Sequence, residues 1–387
     1  MLNRRTILLG GLAAPLAAPL VLRHGLAAEP VRIGMTQPLT GVVAASGNYV
    51  ANGAKAAVAV LNRAGGVLGR PIELVLEDNK SNPREAVAAA EKLMLRDRVP
   101  VMIGAWSSTF TLAILPKLLE YKVPMIVETS SAARITTSGN PWVFRIAPTS
   151  EMEALAFAEL LPKFSPPIRK IDFLSVNNDF GRGATEKYGA VLGAKGIPTG
   201  RAETMTPEAT DLSAQLTALK QSDSDTLFVT TGVEQLTLAL RQAIEQRVNK
   251  RLISTGGSFP DQLLHNPLPA GQSSDHILFY APWFPELARH PEVARAYTDE
   301  WNRNGWEFAG LTEGFRGYDA VLTAAAAIAG AGKPEAEAIR QALWKVDVKG
   351  VNGDIRFFKE GPAGQESGQN HPNAYVVRLA DGKATLI

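Results

Sequence analysis

The chain has 387 residues, 45% of them apolar and 20% charged, with a formal net charge of +2 and no cysteine. That length exceeds what one hydrophobic core serves and points to two lobes. The missing cysteines exclude disulfides, thiolate metal sites and cysteine nucleophiles.

The opening residues, "MLNRRTILLGGLAAPLAAPLVLRHGLAA", combine a basic start, an apolar run and small residues at the end. This predicts an export signal cleaved near Ala27 or Ala28. Arg4 and Arg5 point to the twin-arginine route, although Ile7 stands where a phenylalanine is usual. Pro15, Pro19 and a span below about 20 residues argue against a retained anchor. Removing residues 1–28 takes three arginines from the 40 basic residues and none of the 38 acidic ones, a balance of −1. No lysine–arginine cluster remains to follow a phosphate backbone, which argues against nucleic acid as a partner.

From residue 31 short apolar strands alternate with amphipathic helices. "VRIGM" (31–35) predicts a strand and 48–63 an alanine-rich helix. Strand 72–78 and helix 84–97 follow, then "VPVMIG" and helix 109–121, then "PMIVE" (124–128). "WVFRIAPT" (142–149) reads as a crossing segment. A second series begins with helix 151–163. Strand 170–175, helices 181–195 and 211–219, strand 226–230, helix 234–246 and strand 251–255 continue it. "HILFYAPWF" (276–284) is a further strand, helices near 291–304, 312–329 and 334–345 follow, and "GDIRFF" and "AYVVRL" close the chain as strands. Repeated βα units imply α/β architecture, here two doubly wound parallel-sheet lobes. Ligands of such sheets collect beyond the carboxyl ends of the strands.

Catalytic signatures are missing from the sequence. There is no S-x-x-K, G-x-S-x-G, H-E-x-x-H or G-x-x-x-x-G-K. His265, His276, His290 and His371 are scattered, which argues against a metal site. "AGGVLGRP" (64–71) follows a helix and reads as a turn. Asp179 and Glu186 bracket one loop as a conceivable catalytic pair, but capping and solvated roles are commoner for such residues. No catalytic residue, metal or cofactor is assigned.

Several stretches carry a resemblance. "LNRAGGVLGRPIELVLED", "VPVMIGAWSS…ILPKLLEYKVPMIVETSSA", "NNDFGRG" and "GYDAV" occur in order, and from residue 31 onward the chain resembles the periplasmic leucine/isoleucine/valine-type binding proteins. The resemblance implies a type I periplasmic binding fold with three crossings, placed near 147–150, 281–284 and 349–352. The N-terminal lobe would comprise 29–148 and 283–350, the C-terminal lobe 149–282 and 351–387. It further implies a monomer that closes on a small solute and presents it to the permease subunits of an ABC transporter.

Residue by residue, the resemblance places Ser108, with Ser107 beside it, where the family's loop holds a ligand carboxylate; a helix N-terminus suits an anion. Ser130 and Ser131 fall at a second carboxylate-holding position, although capping is the alternative for each serine. Phe180 stands where the family has a tyrosine against the ligand. Trp106 and Tyr49 lie on loops expected at the cleft. Two departures bear on the ligand. Where family members hold an α-ammonium with an acid, this chain has Gly257. Where a tyrosine is expected, it has Thr231 and Gly232, which predicts a larger pocket. A buried ammonium without a carboxylate is costly. The departures therefore point to an aromatic or hydrophobic acid lacking an α-ammonium. Glu313 is a possible rescuer of the ammonium, or a partner of Arg316 at i+3, which keeps hydrophobic amino acids as the alternative. A ligand sensor for a signalling partner is the reading from another class.

Overall fold

The computed structural model describes residues 29–255, 274–278, 288–380 and 383–387. The predicted export signal, Gly257 and the crossing predicted at 281–284 lie outside them.

Strands β1 (Val31–Gln37), β2 (Ile72–Asp78), β3 (Met102–Ile103), β4 (Met125–Val127) and β5 (Val143–Arg145) alternate with helices α1 (Ala44–Arg63), α2 (Pro83–Glu91), α3 (Ser108–Tyr121) and α4 (Arg134–Thr137). The chain then passes to α5 (Ser150–Glu159), β6 (Ile171–Val176), α6 (Asp179–Ala194), β7 (Thr199–Met205) and α7 (Ser213–Lys220). Next come β8 (Thr226–Thr230), α8 (Val233–Glu245), β9 (Arg251–Thr255) and β10 (Ser274–Leu278). It returns with α9 (Pro291–Arg303), α10 (Leu311–Ala331), α11 (Ala336–Leu343) and a two-stranded ribbon of β11 (Val348–Gly350) and β12 (Gly353–Ile355). Short strands β13 (Phe358–Glu360) and β14 (Ser367–Gln369) follow, then β15 (Tyr375–Ala380) and β16 (Lys383–Leu386).

Two seven-stranded sheets result, ordered β13-β14-β5-β4-β3-β1-β2 and β16-β15-β10-β9-β8-β6-β7. Their central strands are parallel, as the βα alternation requires. Each sheet is buried on both faces. In β1, Val31, Ile33 and Met35 face the core built with α1, α9 and α10, while Met102 of β3 faces the opposite core with α2 and α3. The second sheet is sandwiched in the same way by α7 and α8 on one face and α5 and α6 on the other. Helices α1 and α10 approach closely because Gly53 lies against the Gly314 carbonyl, where a Cβ would collide. No helix of the described residues is long and apolar enough to cross a membrane.

One boundary differs from the sequence reading. The resemblance places residues 351–387 in the second lobe, but β14 pairs with β5 of the first sheet, Gly368 opposite Phe144 and Gln369 opposite Arg145. The last crossing therefore follows Gln369 instead of lying at 349–352. Val351 and Asn352 form a turn fastened to the first lobe, their N–H groups donating to the buried Asp319 carboxylate at 2.7 and 3.3 Å.

Candidate functional site

The loops that leave the carboxyl ends of β1 to β4 face those that leave β6, β7 and β8. Between them lies a cavity of about 310 Å³, where the doubly wound topology places a ligand.

Its floor is the stretch from Trp106 to Phe110. Ser107 precedes α3 with extended backbone, and its side chain makes no capping bond. The capping alternative is not realised there. The Ser107 N–H donates to the Ala105 carbonyl at 2.9 Å, and the next N–H bonded is that of Thr111, to the Ser107 carbonyl. The N–H groups of the first turn have no partner within the helix and give an anion a set of donors reinforced by the helix dipole. The Ser108 hydroxyl accepts from the Ala132 N–H at 3.2 Å, which leaves its proton to donate.

The loop after β4 forms the adjoining wall. Arg145, fully buried, donates to the carbonyls of Ser130 at 3.3 Å and Ala132 at 2.7 Å and to the Thr136 hydroxyl at 2.6 Å. This clamp fixes the segment that carries Ser130 and Ser131. Burial pushes the arginine's pKa down to about 10, against the opposing pull of Glu360 and Glu153. The Ser130 hydroxyl bonds the Trp106 carbonyl at 2.9 Å. Ser131 and Ser150 share a hydrogen bond of 3.0 Å, which joins the first lobe to the start of α5.

Trp106 is held at three points. Its φ is +66°, a left-handed conformation that costs a bulky residue of order 1–3 kcal/mol and persists only where its surroundings fix it. The backbone N–H donates to Glu128 at 3.0 Å and the indole Nε1 to Glu313 at 2.6 Å. Ser130 holds the carbonyl. Burial raises Glu128 to about 7, and its bonds from Gln37 and Trp106 oppose the shift.

Trp106, Ser107, Ser108, Ser130, Ser131, Phe180, Thr231 and Gly232 all line the cavity. Two other candidates do not, and Gly257 is outside the described residues. Tyr49 lies on α1 with its hydroxyl on Glu307 at 2.7 Å and its ring against Gly310. Glu313 binds the Trp106 indole and lies 3.8 Å from Arg316. It holds the Trp106 indole and is not among the residues that line the cavity. The reading of Gly232 also changes. A Cβ there would stand 3.1 Å from Trp106 Cη2, so the space that a tyrosine would occupy is filled by the indole from across the cleft.

Other residues of the wall escaped the sequence reading. Thr129, Glu153, Gln235 and Arg316 all face the cavity. Thr129 Oγ1 and Glu153 Oε2 are buried and have no hydrogen-bond partner among the described residues. Burial drives the Glu153 carboxyl up to about 8, with Arg316 and then Arg145 pulling the other way. Burial likewise lowers the pKa of Arg316, while Glu313, Glu153 and Glu128 raise it. The charged residue inside the apolar run "WVFRIA" was a readable sign for Arg145. Nothing local marks Glu153.

The lobes also touch directly. The Ser46 N–H and hydroxyl, at the start of α1, donate to Glu234 of α8 at 3.1 and 3.2 Å. The Thr109 hydroxyl donates to Asp179 at 2.7 Å. Gln235 bonds the Pro207 carbonyl at 2.6 Å and reaches the Val42 carbonyl at 3.4 Å. Asp179, read with Glu186 as a conceivable catalytic pair, is thus a cross-cleft contact. Among the described residues no group of three or more His, Cys, Asp or Glu side chains could hold a metal ion.

Comparison with known proteins agrees with this architecture. A family model described as "Periplasmic binding protein" matches residues 30–384. A Leu/Ile/Val-binding protein, BraC3, of Rhizobium johnstonii is 30% identical over 247 residues, 64% of this chain and 66% of that protein. The structure of a leucine binding protein from Thermotoga maritima superposes with a TM-score of 0.78 at 23% identity, covering 92% of this chain and 97% of that one. A Rhodopseudomonas palustris solute-binding protein of an ABC transporter, solved in complex with benzoate, also gives 0.78, at 18% identity, over 93% of this chain and 96% of that one. At these identities the two structures bear on the fold.

Proposed function

Because the chain belongs to the periplasmic binding protein family, we propose that it captures a small organic acid between its lobes and delivers it to the permease of an ABC importer outside the cytoplasmic membrane. The role is binding, not catalysis. The acid is aromatic or hydrophobic and lacks an α-ammonium group.

One observation carries this reading: the uncapped N-terminus of α3, set among Ser107, Ser108, Ser130 and Ser131, lies beneath Trp106 in a cavity whose far side holds Phe180. Hydroxyl and N–H donors suit a carboxylate, and two rings suit an apolar body. The benzoate bound by the Rhodopseudomonas protein is a ligand of that description on the same fold. Lobe closure supplies the mechanism, since a ligand that touches both lobes favours the closed state in proportion to its differential affinity.

A second reading, a hydrophobic amino acid, is favoured by one observation. Glu153 is an acid on the cavity wall that could hold an ammonium, and the Rhizobium relative is named for leucine, isoleucine and valine.

Thermal unfolding separates the two. The protein is unfolded and refolded to remove any carried ligand, then heated with leucine, valine, phenylalanine and glutamate, or with benzoate, hydroxybenzoates, cinnamates and short aliphatic acids. A ligand at one hundred times its dissociation constant adds about 2.7 kcal/mol, a rise of about 5–10 °C in midpoint. A rise with the acids alone supports the proposal, and a rise with the amino acids alone overturns it.

A further inference from the structure

We infer that Glu153 is the specificity-determining residue of the cleft, and that it reads a hydroxyl group on the bound acid. The inference rests on the organic-acid reading above and narrows it to hydroxylated acids.

Glu153 stands in the first turn of α5, one turn beyond Ser150, whose hydroxyl is bonded to that of Ser131. The side chain is 2% exposed and lies on the cavity wall, and its Oε2 has no hydrogen-bond partner among the described residues. A buried carboxyl oxygen left without a donor is costly, and the cavity is the direction from which a donor can come. Thr129 Oγ1, on the same wall, is in the same condition.

The donor on the ligand is either an ammonium or a hydroxyl, and the charges around Glu153 favour the hydroxyl. Two guanidiniums on different elements act on it, Arg316 of α10 and Arg145 of β5. A ligand ammonium in the cavity would meet Arg316 on the same wall. A neutral hydroxyl meets no such repulsion. It also pairs with a carboxyl in either protonation state, which matters for a group that burial pushes up to about 8. With the ligand's carboxylate on the donors of α3, the hydroxyl lies on the side of the ligand that faces α5.

Calorimetric titration with benzoate and with 2-, 3- and 4-hydroxybenzoate tests this in the wild type, Glu153→Leu and Glu153→Gln. The readout is the ratio of each hydroxybenzoate's affinity to that of benzoate. In the wild type at least one isomer binds about tenfold or more tightly than benzoate, because a site built around a substrate hydroxyl discriminates strongly against its absence. The ratio falls to about one in Glu153→Leu and is largely kept in Glu153→Gln, which retains a hydrogen-bonding oxygen. If the ratio is near one in the wild type, or survives in Glu153→Leu, the inference falls while the acid reading stands. If no acid binds and leucine does, both fall together. Ligand-free unfolding curves check that each variant is folded, and Glu153→Gln carries the test should Glu153→Leu not fold.

Discussion

Removing Glu234 tests whether contacts between the lobes set the affinity of the cleft. Helix α1 begins without an acidic residue in its first turn and without a side-chain cap. The second lobe supplies both functions, because Glu234 accepts the Ser46 N–H at 3.1 Å and the Ser46 hydroxyl at 3.2 Å. Charge-assisted hydrogen bonds contribute about 1.5 kcal/mol or more each, and an anion at a helix N-terminus adds about 0.3–1 kcal/mol. Drying the carboxylate opposes this, as the upward push of burial on its pKa records. A net of about 1–2 kcal/mol remains for closure, which predicts a five- to thirtyfold loss of ligand affinity in Glu234→Ala, at about 1.4 kcal/mol per tenfold. Ser46→Ala keeps the N–H and loses the hydroxyl, so its loss is smaller, and the double variant is no worse than Glu234→Ala alone. Titration calorimetry with the tightest-binding acid measures all three. Because the bonds join the lobes, the ligand-free unfolding midpoint should move little. Wild-type affinity in Glu234→Ala would refute the reasoning, and an equally weakened ligand-free fold would assign the residue to stability instead.

Gly232→Val should lower affinity by about tenfold or more, since overpacking a filled site costs about 1–3 kcal/mol and a Cβ alone would lie 3.1 Å from both Trp106 Cη2 and Glu234 Oε2; titration calorimetry reads it. Arg145→Met leaves the Ser130 and Ala132 carbonyls without their donor, and should destabilise the fold by about 3 kcal/mol in denaturant unfolding. For Glu153 the linkage sign is fixed by its raised pKa. The folded protein holds the proton between the ordinary carboxyl value of 4.5 and about 8, so this stabilisation is fully present below that window and lost as pH rises through it. Unfolding free energy should therefore fall with rising pH by up to about 1.4 kcal/mol per unit from this group, and Glu153→Gln should flatten the slope.

Much of the fold was legible because buried parallel strands are short apolar runs and the helices between them are periodic. Strand β5 lies buried in the apolar stretch 142–149 that the sequence reading takes as a crossing, and other strands that escape that reading lack the mark. β7, "TGRAETM", is a largely exposed edge strand, and β14 and β16 are short closing strands. The last crossing was misplaced because the pairing of Gly368 with Phe144 spans most of the chain, and nothing local encodes it.

The site divides along the same line. Ser107, Ser108, Ser130 and Ser131 were readable because each sits where a strand gives way to a short loop or a helix start. Glu153 and Arg316 sit within helices, and only the packing of one lobe on the other turns them to the cavity. Gly232 shows the same limit in reverse. The missing side chain was evident, but what fills its place comes from Trp106 of the opposite lobe.

The most direct test of the account is a structure of the protein with the tightest-binding member of the acid panel. The account predicts a ligand carboxylate oxygen within about 3 Å of the Ser108 hydroxyl and of a first-turn N–H of α3, with the ligand's body between Trp106 and Phe180. A carboxylate bound elsewhere in the cleft, or an amino acid with its ammonium on Glu153, would contradict it.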